Sequence, residues 1–259
     1  MLAPTRTLRR VGVVVALGIV VATAVPGSTV ADASGASGPT STTVAGTVPT
    51  TPPACTSPID SIPGVANSDE LITVVAPRFR STHAKLQLYR RRGACLHSIA
   101  GPYAAFVGRR GLSAHHHEGD LTTPTGLFAF EPRFYGVAVD PGVRYRYHRL
   151  VCGDWWDEDS RSASYNRFVH VTCGATPRFA SHSEALWLDA PAYDYLAVIA
   201  YNSSPAVPGR GSGIFLHAST GQPTSGCVTV PLVDLIRVLR DLRPSLDPLI
   251  DIDVTRSTP

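Results

Sequence analysis

A cysteine and a histidine ten residues apart are the side chains best suited to covalent chemistry in this chain. His217 ends a short apolar run, and Cys227 directly follows Ser225 and Gly226. A thiol with a nearby base is the minimum for acyl transfer, because the base takes the thiol proton and later returns it to a leaving amine. This pattern predicts Cys227 as the nucleophile and His217 as the general base and acid. The backbone N–H groups of Gly226 and Cys227 are the predicted oxyanion donors. A histidine that is merely buried at a strand end is the alternative for His217.

The chain has five cysteines, which is an odd number. In an exported protein disulfides form, and the unpaired cysteine is a reactive thiol or an intermolecular link. We predict the pairs Cys55–Cys95 and Cys152–Cys173, because each pair is close in sequence and lies outside the region of Cys227. Cys227 is then the free thiol. Two alternatives remain at this point, a buried inert thiol and a disulfide between Cys227 and another cysteine.

Residues 1–57 predict export and a linker. Residues 1–33 combine three arginines, an apolar run of 15 residues and a small-x-small cleavage pattern, which is typical of a signal peptide. An uncleaved anchor is the alternative, although the run is shorter than the roughly 20 residues of a membrane span. Residues 34–57 are rich in Ser, Thr, Pro, Gly and Ala and predict a disordered linker. Residues 58–259 are long enough for one catalytic domain, which we expect to be secreted and associated with the cell wall.

Charge and short motifs exclude several classes of partner. The chain has 23 Lys and Arg against 20 Asp and Glu, and without the signal, which holds three Arg and one Asp, the balance is 20 to 19. Such a balance argues against nucleic acid as the main ligand. We expect His115–His117 and Asp157–Asp159 to be solvated loops, and no metal or organic cofactor is predicted. The glycine-rich residues 209–213 predict a turn in which Arg210 meets a substrate carboxylate.

Short aliphatic and aromatic runs between Gly and Pro residues predict a mainly β domain. The predicted strands are 71–75, 84–89, 103–107, 126–130, 195–201, 214–217 and 249–254. One amphipathic helix is predicted after Pro231, where leucines and an isoleucine recur on one face. We expect the start of this helix to lie beside Cys227, where its dipole would stabilise a thiolate. Trp156, Tyr165 and Asn166 predict either a ligand groove or a packed loop.

With these motifs in view, the chain resembles the catalytic domain of the L,D-transpeptidases, the YkuD family, over roughly residues 71–254. The likeness is carried by T-P-T-G-L-F at 123–128 and by the I-F-L-H and T-S-G-C-V segments around His217 and Cys227. The chain is especially similar to secreted actinobacterial members with G-R-G-S-G-I-F-L-H and a W-x-x-D…Y-N loop. The resemblance implies a YkuD-like mixed β-sandwich or barrel with one helix after the cysteine.

The resemblance also implies a reaction. A cysteine thiolate attacks a peptidoglycan stem, expels the terminal D-alanine, and passes the acyl group to an amine of a second stem, giving a 3→3 cross-link. No cofactor is implied, and we expect a monomer. An L,D-carboxypeptidase or cross-link hydrolase with the same dyad, or a non-catalytic wall-binding module, are the alternatives. The candidate substrate-binding residues are Ser225, Ala218, Arg210, Asn202, Tyr201 and Trp156.

This chain departs from the common family pattern around the cysteine. Ser225 stands where the family commonly has a second histidine, and Ala218 stands where it commonly has Gly or Ser. Residues 228–230, Val-Thr-Val, replace the Arg or Asn that commonly follows the cysteine. The residues therefore indicate that thiol acyl transfer is retained while the substrate-selecting positions have changed.

Overall fold

The computed structural model describes residues 55, 57–180 and 182–255. The predicted signal peptide, and the predicted linker except for residues 55 and 57, lie outside the described residues. No helix in the described part of the chain has the length and apolar character of a membrane span.

Strands dominate the described residues, as predicted. They are β1 Glu70–Ala76, β2 His83–Arg92, β3 Cys95–Phe106, β4 Leu112–Ser113, β5 Thr123–Pro124, β6 Gly126–Gly136, β7 Arg146–Arg149, β8 Asp154–Asp157, β9 Arg167–His170, β10 Glu184–Ala185, β11 Leu196–Ile199, β12 Phe215–Ala218, β13 Val228–Val230 and β14 Leu249–Val254. The α-helix, α1, spans Leu232–Asp241. Short 3-10 helices lie at Pro58–Ser61, Val65–Asn67, Leu186–Leu188, Ala192–Asp194 and Pro244–Leu246.

The main sheet closes into a barrel. Its strand order is β11-β12-β13-β3-β2-β1-β14-β6-β7, and β11 also pairs with β6, so that the sheet returns on itself. Strand β14 lies inside this order, parallel to β1 and antiparallel to β6. A separate three-stranded sheet has the order β10-β8-β9. The predicted mainly β, barrel-like fold is therefore confirmed.

Strand β12 is buried on both faces, which fixes its register. Leu216 and Ala218 belong to the larger core cluster, together with Leu235 of α1. Phe215 belongs to a second cluster that also contains Trp156 and Cys227. Because successive side chains of a strand point to opposite faces, His217 lies on the same face as Phe215. The strand therefore presents its predicted base toward the second cluster.

Helix α1 has the predicted bounds but a different relation to the cysteine. Leu235, Val238 and Leu239 are buried and form its apolar stripe. Strand β13 separates Cys227 from the first helical residue, Leu232, and an extended strand places those two residues at opposite ends of itself. The expectation that the helix dipole stabilises a thiolate at Cys227 is therefore wrong, because that field falls off within one turn.

Both predicted disulfides are present. Cys55 is bonded to Cys95 at the start of β3, and Cys152 is bonded to Cys173 across the loop that carries β8 and β9. Cys227 is the free cysteine of the chain and is buried. The alternative in which Cys227 forms a disulfide is excluded.

Candidate active site

Cys227 sits where β12 and β13 run parallel. The two strands pair Leu216 with Val228, which sets Cys227 beside Phe215. The Cys227 thiol donates a hydrogen bond to the Gly213 carbonyl at 3.3 Å and accepts one from the Phe215 N–H at 3.3 Å. The sulfur is thus held by the backbone of the segment that enters β12.

A cavity of about 460 Å³ opens onto the thiol. Its wall comes from distant parts of the chain, and the lining residues are His116, Glu118, Gly119, Leu121, Glu158, His182, Glu184, Ser212, Gly213, Ile214, Ser225, Gly226 and Cys227. Cys227 is only 8% exposed, so a substrate reaches the sulfur through this cavity rather than from a flat surface.

The two motifs that carry the family resemblance meet behind the thiol. Thr123 Oγ1 accepts a hydrogen bond from the Gly108 N–H at 2.8 Å and donates one to the Cys227 carbonyl at 3.3 Å. Thr224 Oγ1 donates to the same carbonyl at 2.7 Å. Two hydroxyls therefore hold the carbonyl of Cys227, which fixes the backbone from which its side chain reaches the cavity.

Three acidic side chains, Glu118, Glu158 and Glu184, line the cavity together with the thiol. Glu184 Oε2 accepts a hydrogen bond from Tyr193 Oη at 2.6 Å, and Glu118 Oε2 accepts one from Ser212 Oγ at 2.8 Å. Burial raises the pKa of Glu184 to about 7. Burial and the neighbouring carboxylates raise the pKa of Glu158 to about 9. Glu158 is therefore protonated at neutral pH, and Glu184 exchanges its proton close to pH 7.

The thiol itself is protonated at rest. Burial raises the pKa of Cys227 well above its usual value, and the charges of Glu184 and Glu158 raise it further. The Phe215 N–H lowers that pKa but does not outweigh burial. Attack by the sulfur therefore needs a base that accepts the proton as the new bond forms.

His217 is buried beside the same cluster. Its Nδ1 lies 3.0 Å from the Ala218 carbonyl, and the backbone of Ala192 is a further hydrogen-bonding partner. Its ring meets the ring of Tyr193 edge-on, with centroids 5.0 Å apart. Burial lowers the pKa of His217 to about 4, so the ring is neutral at pH 7. Among the described residues no hydrogen bond joins this ring to the Cys227 sulfur.

A comparison with known families identifies the family of this domain. The family model of the L,D-transpeptidase catalytic domain, YkuD, matches residues 74–250, which include both motifs and the whole cavity wall. The chain belongs to the YkuD family. It is an L,D-transpeptidase-type enzyme, and the peptide stems of peptidoglycan are the substrates of that family. No curated protein and no solved structure gives a significant match.

One predicted oxyanion donor of this YkuD domain is already engaged. The Gly226 N–H donates a hydrogen bond to Thr224 Oγ1 at 3.1 Å, so it is not free for a substrate oxygen in this structure. A Cβ at position 226 would be crowded, because it would lie 2.9 Å from Ile214 Cδ1 and 3.3 Å from the Thr122 carbonyl oxygen, so that the end of the Ile214 side chain would have to shift.

The predicted substrate-binding residues divide into two groups. Ser225 lines the cavity, and its Oγ lies 3.0 Å from Arg109 Nη2, which donates to it. Arg210 and Tyr201 line neighbouring cavities rather than the one at Cys227. Asn202 also lines a neighbouring cavity, and its side-chain amide donates to the carbonyls of two loop residues.

Trp156 and Ala218 do not line the site. Trp156 is 1% exposed and Ala218 is 2% exposed, and each is packed in a core cluster. The expectation of a direct substrate contact for these two residues is corrected, because each lies on a strand face that another layer of the protein covers. The ligand-groove interpretation of the tryptophan loop fails at Trp156 for the same reason.

The tryptophan loop is instead a clasp on the entry to β12. Asn166 Oδ1 accepts hydrogen bonds from Trp156 Nε1 and from the Gly213 N–H, both at 3.0 Å. Asn166 Nδ2 donates to the carbonyls of Tyr201 at 3.0 Å and Asn202 at 2.9 Å. Since Gly213 also holds the thiol, this clasp positions the cysteine indirectly.

Sequence reasoning missed the cavity residues that come from two polar runs. His116 is buried against Gly211 and Tyr201, although we expected a solvated histidine loop. Asp157 is fully buried and Glu158 faces the cavity, although we expected a solvated acidic turn. The sequence offered one signal for His116. It lies four residues before Asp120, in the loop that leads to the motif at Thr123.

One cluster of potential metal ligands occurs among the described residues. The group whose potential ligand atoms lie within 4.8 Å of one another is Cys55, Asp60 and Cys95. Its two sulfurs are joined in a disulfide and are not available as thiolate ligands.

Proposed function

We propose that this chain is a cell-wall L,D-transpeptidase in which Cys227 forms a thioester with a peptide stem. The sulfur attacks the carbonyl of the third residue of a donor stem, and the C–N bond to the terminal D-alanine breaks. The thiol proton passes by way of His217 to the leaving amine. An amine of a second stem then attacks the thioester, which gives the 3→3 cross-link and restores the thiol.

The observation that carries this proposal is the single free thiol at the floor of a cavity within the matched domain. The other four cysteines are consumed in disulfides, and Cys227 lines the 460 Å³ cavity. The thiol is aligned by backbone groups of Gly213 and Phe215, which is typical of a side chain with a fixed task.

The role of His217 is supported by its position and its protonation state. The register of β12 and β13 puts His217 opposite Thr229 on the face that also carries Cys227. A neutral imidazole is the form that accepts a proton, and burial keeps His217 neutral. Proton transfer from the sulfur requires the ring to exchange one backbone contact for the thiol as the substrate enters.

Mass spectrometry of the protein with a tetrapeptide stem tests this proposal. We expect loss of one D-alanine and a transient tripeptide adduct on Cys227, and a carbapenem is expected to leave one adduct at the same residue. With an amine acceptor present, the product has the mass of the cross-linked pair. Tripeptide alone, with the amine present, would mean that water is the acceptor and that the enzyme is an L,D-carboxypeptidase.

Cys227→Ala is the matched control. It is expected to lose the adduct and the D-alanine release while the protein remains folded. An adduct on another cysteine, or none on the folded wild-type protein, contradicts the nucleophile assignment. Stem binding that is equal in both proteins, without any adduct, would identify a wall-binding module.

We also infer export and membership of the secreted actinobacterial group of this family. Two disulfides support an oxidising compartment, and the segments shared with that group are the glycine-rich entry to β12 and the tryptophan loop. Expression of the full chain with a C-terminal tag, followed by N-terminal sequencing of the exported product, tests cleavage near residue 33.

A further inference from the structure

His116 is a buried imidazole on the wall of the Cys227 cavity. Its side chain is 4% exposed, and it lines both that cavity and a neighbouring one of about 360 Å³ that Arg210 also lines. Its Cε1 lies 3.8 Å from the position that a Cβ on Gly226 would take. The ring therefore stands directly beside the dipeptide that carries the thiol, and it does so from a segment more than 100 residues earlier in the chain.

Polar partners fix one nitrogen of this ring. Nδ1 lies 3.0 Å from Asp120 Oδ1 and 3.1 Å from Thr122 Oγ1. Asp120 is itself held by the Thr122 N–H at 2.8 Å and the His117 N–H at 3.1 Å. These hydrogen bonds keep the Asp120 pKa below its usual value despite burial, so Asp120 stays charged and accepts the Nδ1–H.

The other nitrogen, Nε2, is then the basic one. No hydrogen bond to Nε2 occurs among the described residues, and the nitrogen lies against Gly211, where a Cβ would be 2.4 Å away. Burial lowers the pKa of His116, so the ring is neutral and Nε2 carries a lone pair. A buried imidazole with an oriented tautomer and an unpartnered nitrogen has the form of a general base.

The proposed reaction needs such a base twice. In the first half, the thiol loses its proton and D-alanine gains one. In the second half, the attacking amine must lose a proton as its nitrogen bonds to the thioester carbon. His217 does not line the Cys227 cavity, whereas His116 does. An acceptor that enters this cavity therefore meets His116.

We propose that His116, oriented by Asp120, is a second catalytic histidine that serves the acceptor half of the reaction. This inference rests on the proposed function. The neutral amine attacks the thioester carbonyl, the N–C bond forms and the C–S bond breaks. The amine proton passes to His116 Nε2 and from there to the departing sulfur, so that the Cys227 thiol and the neutral His116 ring are both restored.

His116→Gln tests the proposal by separating the two half-reactions. We expect D-alanine release and adduct formation at Cys227 to change less than about threefold. Transfer of the adduct to the amine is expected to fall by about 10²- to 10⁴-fold, which is the usual contribution of a general base. The thioester should therefore accumulate in the variant and be visible as intact mass. Added imidazole is expected to restore part of the transfer in His116→Ala.

The control is His117→Gln, which changes an exposed neighbour in the same loop. Asp120→Asn is the second variant. It keeps the shape of the side chain but removes its charge, which weakens the hydrogen bond that keeps the proton of His116 on Nδ1. It is expected to slow transfer more than adduct formation. A melting temperature for each variant checks that the protein remains folded.

Two results overturn the inference while the proposed function stands. The first is a His116→Gln protein that transfers the adduct to the amine at the wild-type rate. The second is a folded His116 variant in which adduct formation and transfer fall by the same factor and in which imidazole restores neither. Failure of the proposed function itself has a different signature, because the wild-type protein would then form no adduct with any stem.

Discussion

At the scale of single residues, the protonation of Cys227 is set by its neighbours. Burial and two carboxylates raise its pKa, so the thiolate fraction grows about tenfold per pH unit below that pKa. We expect the alkylation rate of the native protein by a small electrophile to rise in that way from pH 7 to pH 9 without a plateau. A plateau near pH 7 would mean a preformed thiolate and would contradict the environment described here.

Glu184→Gln should speed this alkylation. Glu184 ionises as the pH rises through about 7, and its charge then opposes ionisation of the nearby thiol. Removing that charge lowers the thiol pKa, so we expect a several-fold higher rate at pH 8. Little change is expected at pH 5.5, where Glu184 is already protonated. Glu131→Gln, outside the cavity, is the control, and an unchanged rate at pH 8 would show that Glu184 does not act on the sulfur.

His217→Gln should stop the first half-reaction. Without the imidazole the thiol proton loses its proposed acceptor, so D-alanine release is expected to fall by about 10²- to 10⁴-fold. His97→Gln, which changes an exposed residue of β3, is the matched control and should leave the rate unchanged. Full release in a folded His217→Gln protein would remove His217 from the mechanism.

Cys227 and His217 were accessible to sequence reasoning because both belong to one short segment with a family pattern. His116 was not. Three adjacent histidines look alike in sequence, and only the fold buries the middle one, against Gly211 and Tyr201. A polar residue such as His116 lies in the site only because residues far along the chain fold against it. A local sequence pattern does not show which residues those are.

At the scale of elements, the Asn166 clasp should be a point of sensitivity. Its side chain makes four hydrogen bonds, and its φ of 56° lies in the left-handed region. Asn166→Ala leaves buried partners unsatisfied and strains the backbone, so we expect a loss of about 2 to 4 kcal/mol. Asn166→Gly removes the same bonds without the strain and should be about 1 kcal/mol less damaging. Urea unfolding measures both, and equal stability to wild type would contradict the clasp.

The elements themselves were predicted wherever a long apolar run existed. Strands β1, β2 and β14 and helix α1 lie close to their predicted bounds because each buries a regular stripe. Strand β13 has only three residues, too few for a recognisable alternation, and this strand separates the helix from Cys227. The closing pair of β6 and β11 depends on a bulged register that no local period encodes.

At the scale of the whole molecule, the barrel brings four distant segments to one sulfur. The loop after β4, the residue that follows β8, strand β10 and the entry to β12 all contribute cavity residues. Burial of Glu158, Glu184 and His116 within one wall changes their pKa values together, which no segment would show alone. The acidic character of the site is therefore a property of the assembled fold and was not visible in a nearly neutral composition.

The thiol inventory of the whole molecule is expected to show three stages. The folded protein should react slowly with a thiol reagent, because its one free sulfur is 8% exposed. Unfolding without reductant should expose one thiol, and unfolding with reductant should expose five.

Reduction of the two disulfides, which close loops of 40 and 21 residues, removes about 3 to 4 kcal/mol of stability each in the chain-entropy model. In Cys227→Ala the number of thiols exposed on unfolding should fall by one, both without and with reductant. The stability that the disulfides contribute should stay the same. Three thiols in the unfolded, unreduced protein would mean that one disulfide does not form, and a modified cysteine other than Cys227 in the first stage would assign the reactive sulfur elsewhere.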